Sequence, residues 1–280
     1  MIESITLGSL VLNGTDSSGV LWGADTLQGW GSPASTITPV QKPRQTGAWG
    51  GLAYGKARSV VISGQTVAPT RALLSAAVDE LVSAADLLGT TLTVVESGLS
   101  RTLTVRRDGE VALTVKPGVD LMSWWSIQLV AVDPRKMGAA LTASTSLPCS
   151  SGGLSWPLSW PLTWPAVSVT GQVSLTNPGN ASGPVLLEIN GPITGPTITH
   201  VSAGQALIFS SSLTLGAGEF ITVDMERREV LAQGQAAASR NAWVTGRGWS
   251  SFDPGVNTWA FSAPSYDTGT LQVTATPAWQ

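Results

Sequence analysis

The sequence predicts a mainly β protein of two domains with a single helix, and three observations predict it. Charged residues are only 12% of the 280, while Gly and Pro number 31 and 17, a balance that suits short strands and turns better than helices. Apolar residues alternate over many short runs, and one stretch, Pro69–Asp86, repeats them at spacings of three and four. A Trp-Pro repeat at Leu154–Pro165 lies near the middle of a chain long enough for two ordinary domains.

In order, Ile2–Leu12 carries Ile5, Leu7, Leu10 and Leu12 and closes at Asn13-Gly14, a strand and tight turn. From Trp22 to Tyr54 the pattern dissolves into Gly, Pro, Ser and Thr, too long for an idle connection, so it reads as a functional arm or lid. Within it Gly50–Ala57 nearly matches the phosphate-binding loop G-x-x-x-x-G-K-[ST]. Ala57 stands where a magnesium-ligating hydroxyl is needed, and Ser59–Val67 reads as a strand where that loop requires a helix, so nucleotide binding is not expected.

The helix is predicted over Pro69–Asp86, with Pro69 at its first position, Leu74, Ala77, Val78, Leu81, Val82 and Ala85 on one face, and an end near Gly89. Thr90–Glu96, Arg101–Arg107 and Val111–Lys116 then form a meander joined at Ser97-Gly98 and Asp108-Gly109. Leu121–Val132 follows, with Trp124 and Trp125 on opposite faces, and ends at Asp133–Lys136. A helix laid across these strands makes an α+β or partly open barrel domain.

In Leu154–Pro165 the prolines exclude helix. In a pleated strand Trp156, Trp160 and Trp164 share one face with Leu158 and Leu162. The stretch reads as a one-sided edge strand that lays an aromatic strip on a neighbouring domain; a stiff interdomain linker is the alternative. Nine short strands are expected beyond it: Val167–Thr176, Val185–Ile189, Thr197–Val201, Ala206–Phe209, Phe220–Met225, Glu229–Ala232, Ala242–Thr245, Thr258–Ser262 and Leu271–Thr276. With no helix among them they argue for a β-sandwich. The domains are residues 1–143, a connector 144–166, and 167–280.

Residues 1–143 hold 11 Lys/Arg and 11 Asp/Glu and the remainder 4 and 7, so no basic footprint for nucleic acid appears. One cysteine cannot form an internal disulfide, no signal-peptide pattern opens the chain, and no uninterrupted apolar run is long enough to span a membrane. Cytoplasmic synthesis is expected. Cys149 and His200 are read as structural or surface residues and supply no zinc site. Asp224 and Glu226 are the best carboxylate pair, but Glu226-Arg-Arg-Glu229 reads as a charged hairpin turn in which the arginines neutralise them. No catalytic residue, metal ligand or cofactor fingerprint is expected.

Several of these features carry a resemblance. The arm Gly47–Tyr54 leading into Arg58–Gly64, the helix, and the strand closing in Ala131-Val-Asp-Pro-Arg-Lys136 resemble the N-terminal domain of distal tail proteins of long-tailed phages. Asn177-Pro-Gly-Asn180, Asn190-Gly-Pro192, Ile221–Asp224, Trp249 and Pro254-Gly-Val-Asn257 are similar to the C-terminal domain of the same family, so the resemblance covers nearly the whole chain. It implies a barrel-like ring domain, assembling as a homohexamer at the end of the tail tube, and a galectin-like sandwich projecting outward. It also implies neighbours: the major tail tube protein, the tail hub or tail-associated protein, and in some cases a receptor-binding protein. The location would be the virion tail tip, after synthesis in the host bacterial cytoplasm.

The Trp22–Tyr54 arm is the expected oligomer interface, with Trp30, Trp49 and Tyr54 as anchors. The alternative is that these aromatics fold back on their own domain. A structural, non-enzymatic virion protein is the first functional reading, a carbohydrate-binding sandwich the second, and a cell-wall hydrolase, which lacks credible residues, the third.

Overall fold

The computed structural model describes residues 2–115, 121–151, 167–233, 238–264 and 268–280. The chain divides after Gly138 into two units, the second running Ala139–Trp279. Arg71–Ala84 is the only α-helix among the described residues.

The first unit is built from β1 (Ile2–Leu7), β2 (Leu10–Val11), β3 (Gly14–Thr15), β4 (Leu21–Gln28), β5 (Ser35–Ile37), β6 (Val40–Gln41), β7 (Ala48–Trp49), β8 (Ala53–Gly55), β9 (Arg58–Val67), α1 (Arg71–Ala84), β10 (Thr90–Glu96), β11 (Leu99–Thr114), β12 (Met122–Ala131) and β13 (Lys136–Met137). Its main sheet runs β2-β1-β10-β11-β12-β9-β4-β3 and is nearly closed, barrel-like. Strict alternation drives it: Val60 and Ile62 of β9 and Trp125, Ile127, Leu129 and Ala131 of β12 are buried, so period-two runs place one face of each strand in a shared core. The Trp125 indole Nε1 donates to Thr66 Oγ1 at 2.9 Å, which satisfies its polar edge inside that core.

α1 covers the core with Leu74, Ala77 and Leu81. Its N-cap is Thr70, whose hydroxyl accepts from the Leu73 N–H at 3.3 Å, so Pro69 precedes the cap instead of opening the helix. The helix ends at Ala84, before Gly89, which adopts φ +132°.

Two local readings change. Trp22 lies in β4, 2% exposed, because strand pairing with β9 continues to Gln28, so the irregular arm starts later than expected. Asp108-Gly109 closes no hairpin: β11 is one long strand, with the register shifting between Arg107 and Val111 and Gly109 at φ +87°. Its first half pairs with β10 and its second with β12. An Asp-Gly pair supplies positive φ equally well to a turn or a bulge, and here the long partner strands favour the bulge.

The second unit comprises β14 (Leu141–Ser146), β15 (Cys149–Ser151), β16 (Val167–Val169), β17 (Gln172–Asn177), β18 (Val185–Asn190), β19 (Ile193–Thr194), β20 (Thr197–His200), β21 (Gln205–Phe209), β22 (Thr214–Leu215), β23 (Phe220–Asp224), β24 (Glu229–Ala232), β25 (Val244–Arg247), β26 (Gly255–Ser262), β27 (Thr270–Ala275) and β28 (Ala278–Trp279). Two five-stranded antiparallel sheets, β14-β27-β18-β23-β24 and β17-β26-β20-β21-β25, enclose one core that includes Leu187, Ile221, Val223, Phe252, Trp259 and Phe261. β14 pairs along its whole length with β27, and Cys149 sits in β15 against β16. Residues 144–146 and 149–151, within the stretch read as a connector or edge strand, are strand. The expected first strand is broken at Gly171, φ +66°, into β16 and β17.

Buried amides set the sandwich turns. Asn177 Nδ2 donates to the carbonyls of Ala181 and Phe252, and Asn257 Nδ2 donates to those of Asp253 and Gly255. Gly255, at φ +94°, supplies the positive φ expected of the Asp253-Pro-Gly255 turn.

Candidate functional site

The arm is the feature of the first unit that its own core does not explain. β5 pairs with β8 and β6 with β7, so residues 35–55 form a long two-stranded hairpin, with Val40 directly opposite Trp49. A two-stranded ribbon has no core of its own and is marginal in water. Yet Ile37, Val40, Trp49, Leu52 and Tyr54 are exposed, from 55% for Trp49 to 76% for Leu52. Five large apolar side chains this close together on an otherwise polar ribbon make an exposed apolar patch.

The base of the ribbon is held rigidly. Arg58, 1% exposed, opens β9 in register with Val60 and Ile62 and so points inward. Its Nη1 donates to the carbonyls of Gly29 at 3.1 Å, Trp30 at 2.7 Å and Gly31 at 3.2 Å, and its Nε donates to Pro134 at 2.9 Å. Lys136 Nζ donates to the Trp30 carbonyl at 3.0 Å and that of Gly31 at 2.9 Å, and lies 5.4 Å from the Trp30 ring centroid. Trp30 Nε1 donates to Glu96 Oε2 at 3.1 Å, and Arg101 reaches the same oxygen at 3.1 Å. Burial, with help from Arg58 and Arg101 and opposed by Glu96, lowers the Lys136 ammonium to about 8. Because the folded value lies below the unfolded one, the cost of burying this charge falls away as the pH rises from about 8.

The three predicted anchors thus separate. Trp30 is 5% exposed and locks the base to the barrel core, while Trp49 and Tyr54 remain outward. Residues 152–166, with Trp156, Trp160 and Trp164, lie outside the described residues. The near-match Gly50–Ala57 contains β8 and leads into strand β9, so it opens no helix. Sequence reasoning missed Arg58 and Lys136; the parity of Arg58 with Val60 and Ile62 is the signal that could have found the first.

The remaining candidates are structural. Asp224 Oδ1 accepts from the N–H groups of Glu226 and Arg227, so this carboxylate closes the β23–β24 turn. Among the described residues no group of three or more His, Cys, Asp and Glu could hold a metal, and no helix is long and apolar enough to cross a membrane. His200 is 1% exposed, stacked on Trp259 with centroids 4.8 Å apart, and its Nε2 lies 3.1 Å from Asn257 Oδ1.

Burial lowers the His200 imidazole below its ordinary value, with Asn257 and Asp253 opposing. The unfolded chain therefore binds this proton more readily, and stability present above the unfolded value of 6.5 is lost as the pH falls below it. The melting temperature should fall measurably from pH 7 to pH 5. Most of that slope should vanish in His200→Phe, and an equal slope in the variant would assign it to other groups.

The described residues thus form a barrel-like sheet carrying an apolar ribbon, followed in the chain by a two-sheet sandwich. No family model and no curated protein matches the sequence. Solved structures do. The Dit protein (gp 19.1) of SPP1, described as a paradigm of the hub adsorption apparatus in phages infecting Gram-positive hosts, aligns with TM-score 0.67 over 98% of both chains at 13% identity. The phage P2 baseplate in its activated conformation aligns with TM-score 0.51 with calcium, at 10% identity over 95% of this chain and 93% of that one. Its strontium form aligns with 0.50, at 12% identity over 96% of each. This chain therefore shares the fold of the SPP1 Dit protein from end to end.

Proposed function

We propose that this chain is a structural, non-enzymatic component of a phage tail tip, a distal tail adaptor that closes into a homohexameric ring between the tail tube and the tail hub and supports host attachment. The observation that carries this reading is the exposed apolar ribbon, residues 35–55, pinned at its base to a barrel-like domain. A ring of identical copies needs a heterologous contact in which one surface fits a different surface on the next copy and the rotation closes. A ribbon whose large apolar side chains stand exposed supplies one half of such a contact. The end-to-end likeness to SPP1 Dit supports the same role. The neighbours under this reading are the tail tube protein on one side, the hub or tail-associated protein on the other, and a receptor-binding protein where one is carried.

Size-exclusion chromatography with light scattering, over a range of protein and salt concentrations, tests it. About six subunits, or about twelve if two rings stack, is the expected mass. A monomer at every concentration, alone and co-expressed with the adjoining tail proteins, would overturn it.

A further inference from the structure

The second unit is poor in positive charge: residues 144–280 hold four Lys or Arg, all of them arginine. Two are engaged locally. Arg227 Nε lies 3.7 Å from Asp224 Oδ2, and the Arg240 guanidinium lies 4.6 Å over the Trp243 ring. The other two, Arg228 and Arg247, make no ion pair among the described residues, and both line one cleft of about 330 Å³ with Asn241, Val244 and Trp249. They come from different sheets: Arg228 from the turn between β23 and β24, Arg247 from the end of β25. Among the described residues no acidic side chain lines the cleft. Gathering two like charges there opposes stability unless an anion offsets them.

One wall of the cleft is fixed by its own hydrogen bonds. Asn241 Oδ1 accepts from the Val230 N–H at 2.6 Å and its Nδ2 donates to the Arg228 carbonyl at 3.2 Å, so one amide fixes the turn that presents Arg228. Arg228 itself takes φ +58°, an uncommon conformation for a non-glycine residue. Trp249 is partly buried against the sandwich core. Its volume falls at the low end for small-molecule sites, about 300–1,000 Å³, which suits one small unit rather than a long chain.

We propose that this cleft binds a single anionic sugar unit, a ring bearing a phosphate or a carboxylate. The charge pairs with the planar guanidiniums of Arg228 and Arg247, which suit either oxyanion. The apolar C–H face of the ring lies on the Trp249 indole, with Val244 as the apolar floor. Asn241 acts as a positioning residue through the backbone it holds. This assignment is independent of the ring reading and stands or falls separately from it.

Calorimetric titration of the full chain with glucose 6-phosphate, glucuronate, glucose and inorganic phosphate tests the proposal. At least one charged sugar should bind about tenfold or more tightly than glucose, with an affinity that falls with salt, as a charge-assisted pair predicts. Whichever of the two binds identifies the anion as phosphate or carboxylate. Arg247→Gln and Trp249→Ala should each weaken binding about tenfold, while Arg227→Gln, outside the cleft, leaves it unchanged. No binding of either charged sugar at millimolar concentration, glucose binding as well as they do, or full affinity in a folded Arg228→Gln/Arg247→Gln chain would each overturn the site. Inorganic phosphate binding as tightly as glucose 6-phosphate would overturn the sugar assignment.

Discussion

Replacing Trp49, Leu52 and Tyr54 together by serine should, if the proposed ring forms through the ribbon, reduce it to monomer while leaving the fold intact. All three are more than half exposed and none belongs to a core cluster, so the stability of the single chain should change by no more than about 0.5 kcal/mol per site. Association should respond far more strongly. Interface aromatics that fill a pocket commonly contribute about 2 kcal/mol or more each, so the subunit dissociation constant should rise at least about a thousandfold. Every contact in a closed ring is the same contact, so all weaken at once. Light scattering at fixed concentration, with circular dichroism and a melting curve to certify folding, reads both quantities. A ring that survives the triple substitution would show that the ribbon is not the contact surface.

Arg58→Met should produce the largest loss of intrinsic stability, about 3–5 kcal/mol in the first unit. The guanidinium serves four carbonyl groups; Lys136 can still reach those of Trp30 and Gly31, but Gly29 and Pro134 would lose a charged donor in a setting with little water. For a domain of this size the melting temperature should fall by roughly 10 °C or more. Arg58→Lys should recover part of it, because it keeps the charge and loses the fork. Arg58→Met with Lys136→Met should cost more than the sum of the two separately, since either cation alone still serves the Trp30 and Gly31 carbonyls and only the double variant leaves both bare. Amide exchange at Trp30 and Gly31 should accelerate in Arg58→Met; unchanged exchange with a loss below about 1 kcal/mol would remove this pair from the anchoring of the ribbon.

Much of this was readable from the chain. The period-two runs of β9, β12 and β18, the Asn241-adjacent charged turn Glu226–Glu229, the stripe of α1 and the turn at Gly255 were all predictable from local spacing, because a strand or helix buries whichever face its own side chains make apolar.

What the sequence alone determined is therefore the class of each element, the two-unit organisation and the singling out of the Trp-rich arm. Only the tertiary structure decided which tryptophan of that arm is core and which is surface: Trp30 and Trp49 look alike in context, but Trp30 meets Glu96 and Lys136, 66 and 106 positions away. It also decided that Asp108-Gly109 is a bulge in one strand, and that Arg228 and Arg247 share a cleft. The reason is the same in each case. Periodicity reports which face of an element is apolar, whereas burial, bulges and convergent charges depend on which distant segment the topology brings against that face, a quantity no local spacing contains.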